Sequence, residues 1–300
     1  MDRLAPLARR WGLAVVWAVL PFTAGPSFAD ALDPRSRSVQ VVASIGLWLA
    51  WGAVLAAALV PRASTVTGVR IVAPAAVVAA VWAAVVVPDG AAFPEALALA
   101  TTSLAAVVAL SASTGDTFVN GSSYGDERRM FLRAPGVVLF GPVEVVWALV
   151  VAGAVAGPML LAAHVWVLGA VALVVGWTVA AVGSLGLSRL AQRWVVFVPA
   201  GLVLVDRSTL TDSLLVPRGR MASLGPAPAD TAAADLTAGA LGLALELRFE
   251  RSESITPTAP GRPGADRPAP RPLEVDAVLF TPTRPGRVLA EARRRRLPVG

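Results

Sequence analysis

Residues 41–60 read VVASIGLWLAWGAVLAAALV, twenty positions without a charge. At 1.5 Å per residue such a helix crosses the roughly 30 Å hydrocarbon core of a bilayer, whereas in water it would be one large exposed apolar patch. Blocks of the same kind recur at 11–29, 71–87, 96–112, 137–157 and 165–187. With 56% hydrophobic and 15% charged residues over 300 positions, the chain is not two soluble domains. The expected fold is an α-helical transmembrane bundle of about six helices over residues 1–190, followed by a small cytoplasmic β-rich domain over 191–300 that ends in a helix.

The first block admits two readings. Arg3, Arg9 and Arg10 before an apolar core, then Pro21 and the small residues Ser27 and Ala29, match a signal peptide. Its length equally suits a retained helix, which is the reading favoured here, because the later blocks supply ample insertion signals.

Orientation follows from arginine. With the N-terminus inside, the cytoplasmic segments next to the spans carry Arg3, Arg9, Arg10, Arg62, Arg70, Arg128, Arg129, Arg133, Arg189 and Arg193. The outer loops carry Arg35 and Arg37. This asymmetry predicts a multi-pass protein of the inner (plasma) membrane with both termini cytoplasmic. All 26 basic residues are arginine, and the net charge of +6 is distributed as the positive-inside rule requires, so no nucleic-acid partner is expected. The absence of cysteine excludes disulfides and thiolate chemistry.

Beyond residue 187 the pattern becomes strand-like. Leu241, Leu243, Leu245, Leu247 and Phe249 alternate with small or polar residues, which predicts a half-buried strand over 241–249. Shorter strands are expected at 193–198, 202–206, 214–216, 221–224 and 275–280, with a flexible Pro-rich loop at 252–272 and a helix over 287–296 entered through Thr283 and Pro285.

The runs 195–206 (VVFVPAGLVLVD), 214–224 (LLVPRGRMASL) and 273–296 resemble the bacterial pleckstrin-homology-like domain. The resemblance implies a strand barrel capped by a C-terminal helix. The whole chain, with 120–129 (NGSSYGDERR) between spans, also resembles multi-spanning membrane proteins of actinobacteria, which implies no particular activity.

Polar positions are few. Glu144 is the one ionisable side chain inside an expected span, about 10 Å deep if the helix starts at 137. Burying that charge costs roughly 2.5–3.5 kcal/mol unless it is neutralised or reaches the interface. Asp116, Asn120, Gly121 and Glu127 match positions of a calcium loop, but Phe118 stands where an oxygen ligand is required. The stretch 116–129, including Asp126, Arg128 and Arg129, therefore reads as a cytoplasmic loop, with the two arginines available to a partner or anion. His164 is the sole histidine and falls in an outer turn. Gly169, Ala172, Gly176, Ala180 and Gly183 share one face of the last span, and Gly153 and Gly157 one face of the span before it. These two helices are expected to pack closely, with a homodimer through such a face as a further outcome.

The expected function is that of a non-enzymatic membrane-anchored recruitment or sensing protein. Its partners would be the bilayer and anionic lipid head groups or a cytoplasmic protein, and no cofactor is implied. The alternative is a small-solute or ion transporter using Glu144. No Ser/His/Asp set, paired carboxylates or phosphate-cradling glycine loop points to an enzyme.

Overall fold

The computed structural model describes residues 4–87, 93–121, 123–136, 141–258 and 271–300. The chain divides into two compact units, one comprising residues 1–122 and 144–187, the other 123–143 and 188–300.

The first unit is helical. Helices α1 (Leu4–Ala18), α2 (Leu20–Thr23) and α3 (Gly25–Leu32) follow one another and supply the first of six segments, Trp11–Leu32, long and apolar enough to cross a membrane. The others are α4 (Arg37–Leu59), α5 (Val66–Val86), α6 (Phe93–Leu110), α8 (Pro142–Ala162) and α9 (Trp166–Leu190). A short helix, α7 (Ala112–Asn120), follows α6 and packs against α1, α5 and α6.

The interruptions in the first span have a cause. Pro21 lacks the N–H that would bond the Trp17 carbonyl one turn back. That carbonyl instead accepts the Trp51 indole N–H of α4 at 3.0 Å, and the Trp17 indole N–H donates to the Trp51 carbonyl at 2.9 Å. Trp17 is buried, so this reciprocal pair ties α1 to α4 inside the bundle.

Small residues allow close approach elsewhere. Ala73, Ala80 and Ala83 of α5 and Ala98, Ala105 and Ala109 of α6 are all fully buried. Between α8 and α9 the expected close packing is present. A Cβ on Gly153 would lie 2.4 Å from the Gly176 carbonyl oxygen, and one on Gly157 would lie 2.4 Å from the Leu173 Cα. In lipid such backbone contact replaces the hydrophobic drive. Gly176→Leu is therefore expected to force the pair apart, at about 1–3 kcal/mol, lowering the melting temperature in detergent; Gly186→Leu, whose Cβ meets nothing within 4 Å, should not.

The second unit holds two four-stranded sheets and a helix. One sheet runs β1-β2-β3-β4, with β1 (Arg128–Phe131), β2 (Arg193–Val198), β3 (Gly201–Asp206) and β4 (Leu214–Pro217), every pair antiparallel. The other runs β5-β7-β8-β6, with β5 (Met221–Pro226), β6 (Ala234–Asp235), β7 (Leu245–Ile255) and β8 (Leu273–Phe280). Helix α10 (Pro285–Arg294) closes the chain. One core joins all three parts: Val195, Phe197, Leu202 and Val216 from the first sheet, Leu224, Leu247 and Phe280 from the second, and Val288 and Ala292 from α10.

Three expectations are corrected here. The helical and β domains do not divide at 190, because the segment between α7 and α8 contributes β1 to the β unit. The alternating stretch 241–249 is strand only from Leu245; Leu241 and Leu243 are exposed, and Gly242 adopts a left-handed φ of +122°. The Pro-rich loop begins later than 252, since β7 continues to Ile255; residues 259–270 of that expected loop lie outside the described residues.

Candidate functional site

The polar candidates fall into separate places. Asp116 and Asn120 lie on α7, not in a loop. Ser111 caps that helix by accepting from the Thr114 N–H at 3.3 Å, and Asn120 donates to the Asp116 carbonyl at 2.8 Å. The helix, rather than a loop, forms because Thr114, Phe118 and Val119 bury one face against the bundle. The Asp116 carboxylate acts electrostatically on Arg70 of α5. The calcium-loop geometry is thus not formed, and among the described residues no three His, Asp or Glu side chains gather as a metal would require.

Glu144 is also displaced from its expected depth. The described helix α8 starts at Pro142, after Gly141 at φ +106°, which puts Glu144 in the first turn, where it is exposed. A carboxylate there is favoured by the helix N-terminus. Among the described residues of the bundle the buried carboxyl is instead Glu95, 3% exposed in the first turn of α6, a position the expected span boundary at 96 had left in the outer loop.

Asp126, Glu127, Arg128 and Arg129 are brought together in the β unit. Glu127 and Arg129 pair at 2.8 Å, and Arg129 also stacks 5.9 Å over Trp194. The hydrogen bond from the Arg129 guanidinium holds the Glu127 carboxyl below its ordinary range. Arg295 donates to the Asp126 carbonyl and to Glu291 at 2.7 Å, and lies 5.9 Å over Phe197, the register partner of Arg128. Arg218 donates to the Arg295 carbonyl at 3.4 Å. The exposed guanidinium groups of Arg128, Arg218, Arg293, Arg294 and Arg296 thus gather around the C-terminal end of α10, with Glu291 among them. The negative end of the helix dipole favours such a cluster.

Burial pushes the Glu291 carboxyl up, but hydrogen bonds and charge from Arg294 and Arg295 outweigh it and hold the carboxyl below its ordinary range. A depressed carboxylate stabilises the fold above its unfolded value, about 4.3, and that contribution is lost as pH falls through the lower folded value. The protection of amides around α10, taken relative to their intrinsic exchange rates at each pH, is accordingly expected to fall at acid pH in the full-length wild type, and to change less in Glu291→Gln.

Toward the other end of β2 sits a buried ion pair. Arg193, the first residue of β2, donates from Nε to Asp206 Oδ1 at 2.9 Å and from Nη2 to Oδ2 at 2.6 Å, with the side chains 2% and 0% exposed. Asp206 also accepts from the Ser208 N–H at 3.0 Å and hydroxyl at 2.6 Å. Arg193 Nη1 donates to the Arg133 carbonyl at 2.9 Å, just beyond β1. The pair therefore joins the segment before α8 to the segment after α9.

Further bonds fasten that inserted segment. Leu132 N–H donates to the Arg193 carbonyl at 2.9 Å, Arg133 N–H to the Thr281 carbonyl at 2.8 Å, Thr283 N–H to the Phe131 carbonyl at 2.9 Å and Gly136 N–H to the Gly239 carbonyl at 3.2 Å. Sequence reading missed β1 because its four residues, Arg128 to Phe131, carry no alternation long enough to register as a strand. No family model, curated protein or solved structure matches the chain.

Proposed function

We propose that the protein is a non-enzymatic, membrane-anchored sensing protein of the inner membrane. Its β domain receives a negatively charged ligand at the arginine-rich end of α10, and the α8–α9 hairpin follows the state of that domain. The observation that carries this reading is the chain path. The hairpin leaves from the β domain at 143 and returns to it at 188, so both of its ends are held by one folded unit. A rearrangement of the strands that carry those ends would act on both helices at once, as a bistable element must for binding to be transmitted.

The two-sheet, helix-capped arrangement supports the resemblance to pleckstrin-homology-like domains. The exposed arginines fit anionic lipid head groups, worth about 1 kcal/mol for each charge near the surface. That 123–143 and 188–300 belong to one folded unit supports placing both on one side of the bilayer, and the arginine asymmetry supports the cytoplasmic side. Reporter fusions after Arg193 and within 89–95 should then report opposite sides.

The chain's lack of cysteine makes the coupling measurable. Spin labels on Phe93→Cys and Ala163→Cys, both exposed positions, report the hairpin against α6 in nanodiscs. The distance distribution is expected to change when phosphatidylglycerol replaces phosphatidylcholine, and to stop changing when Arg293, Arg294 and Arg296 are replaced by glutamine. Identical distributions in both lipids would contradict the reading.

A further inference from the structure

Among the described residues of the apolar bundle, Ser27 and Glu95 each carry a buried polar atom that the hydrogen bonding leaves unused. Ser27 of α3 is fully buried and its hydroxyl has no partner; Glu95 of α6 is 3% exposed and its Oε2 has none. Elsewhere in this bundle hydroxyls are satisfied locally: Thr101 and Thr102 donate to carbonyls one turn back at 2.8 and 2.7 Å.

The helices bring Ser27 and Glu95 to one level. Ala24, the residue just before α3, meets Ala80 of α5 and Ala98 of α6 in one buried cluster. The first and fourth spans run in opposite directions. Three residues on from Ala24 and three back from Ala98 therefore move toward the same end of the bundle, about one turn each. Those positions are Ser27 and Glu95.

Among the described residues, no cation pairs with either oxygen. Of the elements packed against α6, α2 has no charge, and Arg9 and Arg10 of α1, Arg70 of α5 and Asp116 of α7 belong to the opposite end. Asp30 of α3 has the same sign as Glu95. In the turn that follows α3 lie Asp33 and Arg35, whose guanidinium stacks 5.9 Å over Trp82, while Arg37 donates to Gln40 at 3.5 Å. The N-terminal dipole of α6 favours a carboxylate at this position, yet leaves Oε2 without a donor. An ionised carboxylate in an apolar surround demands a counter-charge.

We propose that Glu95 and Ser27 form a binding site for a small monovalent cation, a proton or a sodium ion, at the outer end of the α3–α5–α6 interface. The carboxyl supplies the charge, and the serine hydroxyl completes the site by donating to it or by coordinating the ion through its oxygen.

The test is thermal unfolding of the full chain in detergent. Choline chloride is exchanged for sodium chloride at constant ionic strength, and the pH is lowered in choline alone. A cation that binds the folded state raises the melting temperature by mass action. The wild type is expected to gain about 2–4 °C from one of the two treatments beyond any gain in Glu95→Gln, and Ser27→Ala should reduce that excess. An excess with acid alone identifies the proton, and an excess with sodium the ion. Equal responses of wild type and Glu95→Gln to both treatments would overturn the proposal. Should Glu95→Gln fail to fold, dicyclohexylcarbodiimide serves on the wild type, since it adds to a protonated carboxyl as an N-acylurea with no leaving group. An adduct on the Glu95 peptide supports the site, with protection by sodium marking the ion. No adduct on the folded chain at acid or neutral pH, with an adduct after unfolding, counts against it.

Discussion

Asp206→Ala is expected to remove a large part of the stability of the β domain. The carboxylate is fully buried and accepts four hydrogen bonds, two from Arg193 and two from Ser208. Deleting it strands the Arg193 guanidinium, which is 2% exposed. Removing one partner of a buried ion pair costs about 3–5 kcal/mol, against a total of about 5–15 kcal/mol for a typical domain. The contrast is Arg220→Ala. That residue pairs with Glu253 at 3.0 Å but is 63% exposed, so water replaces much of what is lost and the effect should stay under about 1 kcal/mol. Hydrogen exchange of β2 and β3 peptides in the full chain separates the two outcomes. Protection should fall by orders of magnitude in Asp206→Ala and stay near wild type in Arg220→Ala. Equal protection in both variants would mean that the pair does not hold the domain.

A fragment of residues 188–300 is expected not to fold alone. It lacks β1, so one edge of β2 has no strand to pair with, and two side chains buried in the full chain, Phe131 and Leu132, each 5% exposed, are lost. Burying two such side chains is worth about 1.5–3 kcal/mol each. The Arg193 bond to the Arg133 carbonyl is lost as well. An open apolar edge favours pairing between copies. Circular dichroism and gel filtration should show an aggregating or unfolded fragment. Joining residues 123–136 to it through a flexible linker should restore a monomeric, strand-rich species. A stable monomer without that segment would refute the two-segment domain.

What could be read from the sequence depended on the length of each signal. The spans were legible because each is a long apolar run, with Glu144 the one ionisable side chain inside the expected boundaries. β2 and β3 were legible because Pro199 to Gly201 punctuates two apolar runs that pair in register, from Arg193↔Asp206 to Val198↔Gly201. β1 was not, because its identity as a strand comes from its partner: Met130 opposite Val195 and Phe131 opposite Trp194. β6 has two residues, too few for any periodicity. α7 was read as a loop because its glycine and polar residues outweigh Phe118 and Val119, the two large apolar residues that dock it. The polar site shifted for a related reason. Moving a span boundary by three to five residues, from 137 to Pro142 and from 96 to Phe93, exchanges which glutamate is buried. The basic end of α10 lies in the run Arg293–Arg296, and its neighbours Arg128 and Arg218 come from far along the chain and needed the fold.

The segment before α8 and the segment after α9 are adjacent strands of one sheet. A cysteine pair at Arg129 and Val196, direct register partners, tests it in a chain with no other thiol. Opposed residues in an antiparallel pair have Cα atoms about 4.5–5.5 Å apart, within the range a disulfide spans. Mild oxidation of membranes carrying Arg129→Cys/Val196→Cys should give an intramolecular disulfide, detected as a linked peptide by mass spectrometry. Arg129→Cys/Val205→Cys, whose second position faces Trp194 on the next strand, should give none. No cross-link in the first pair, or equal cross-linking in both, would contradict the account.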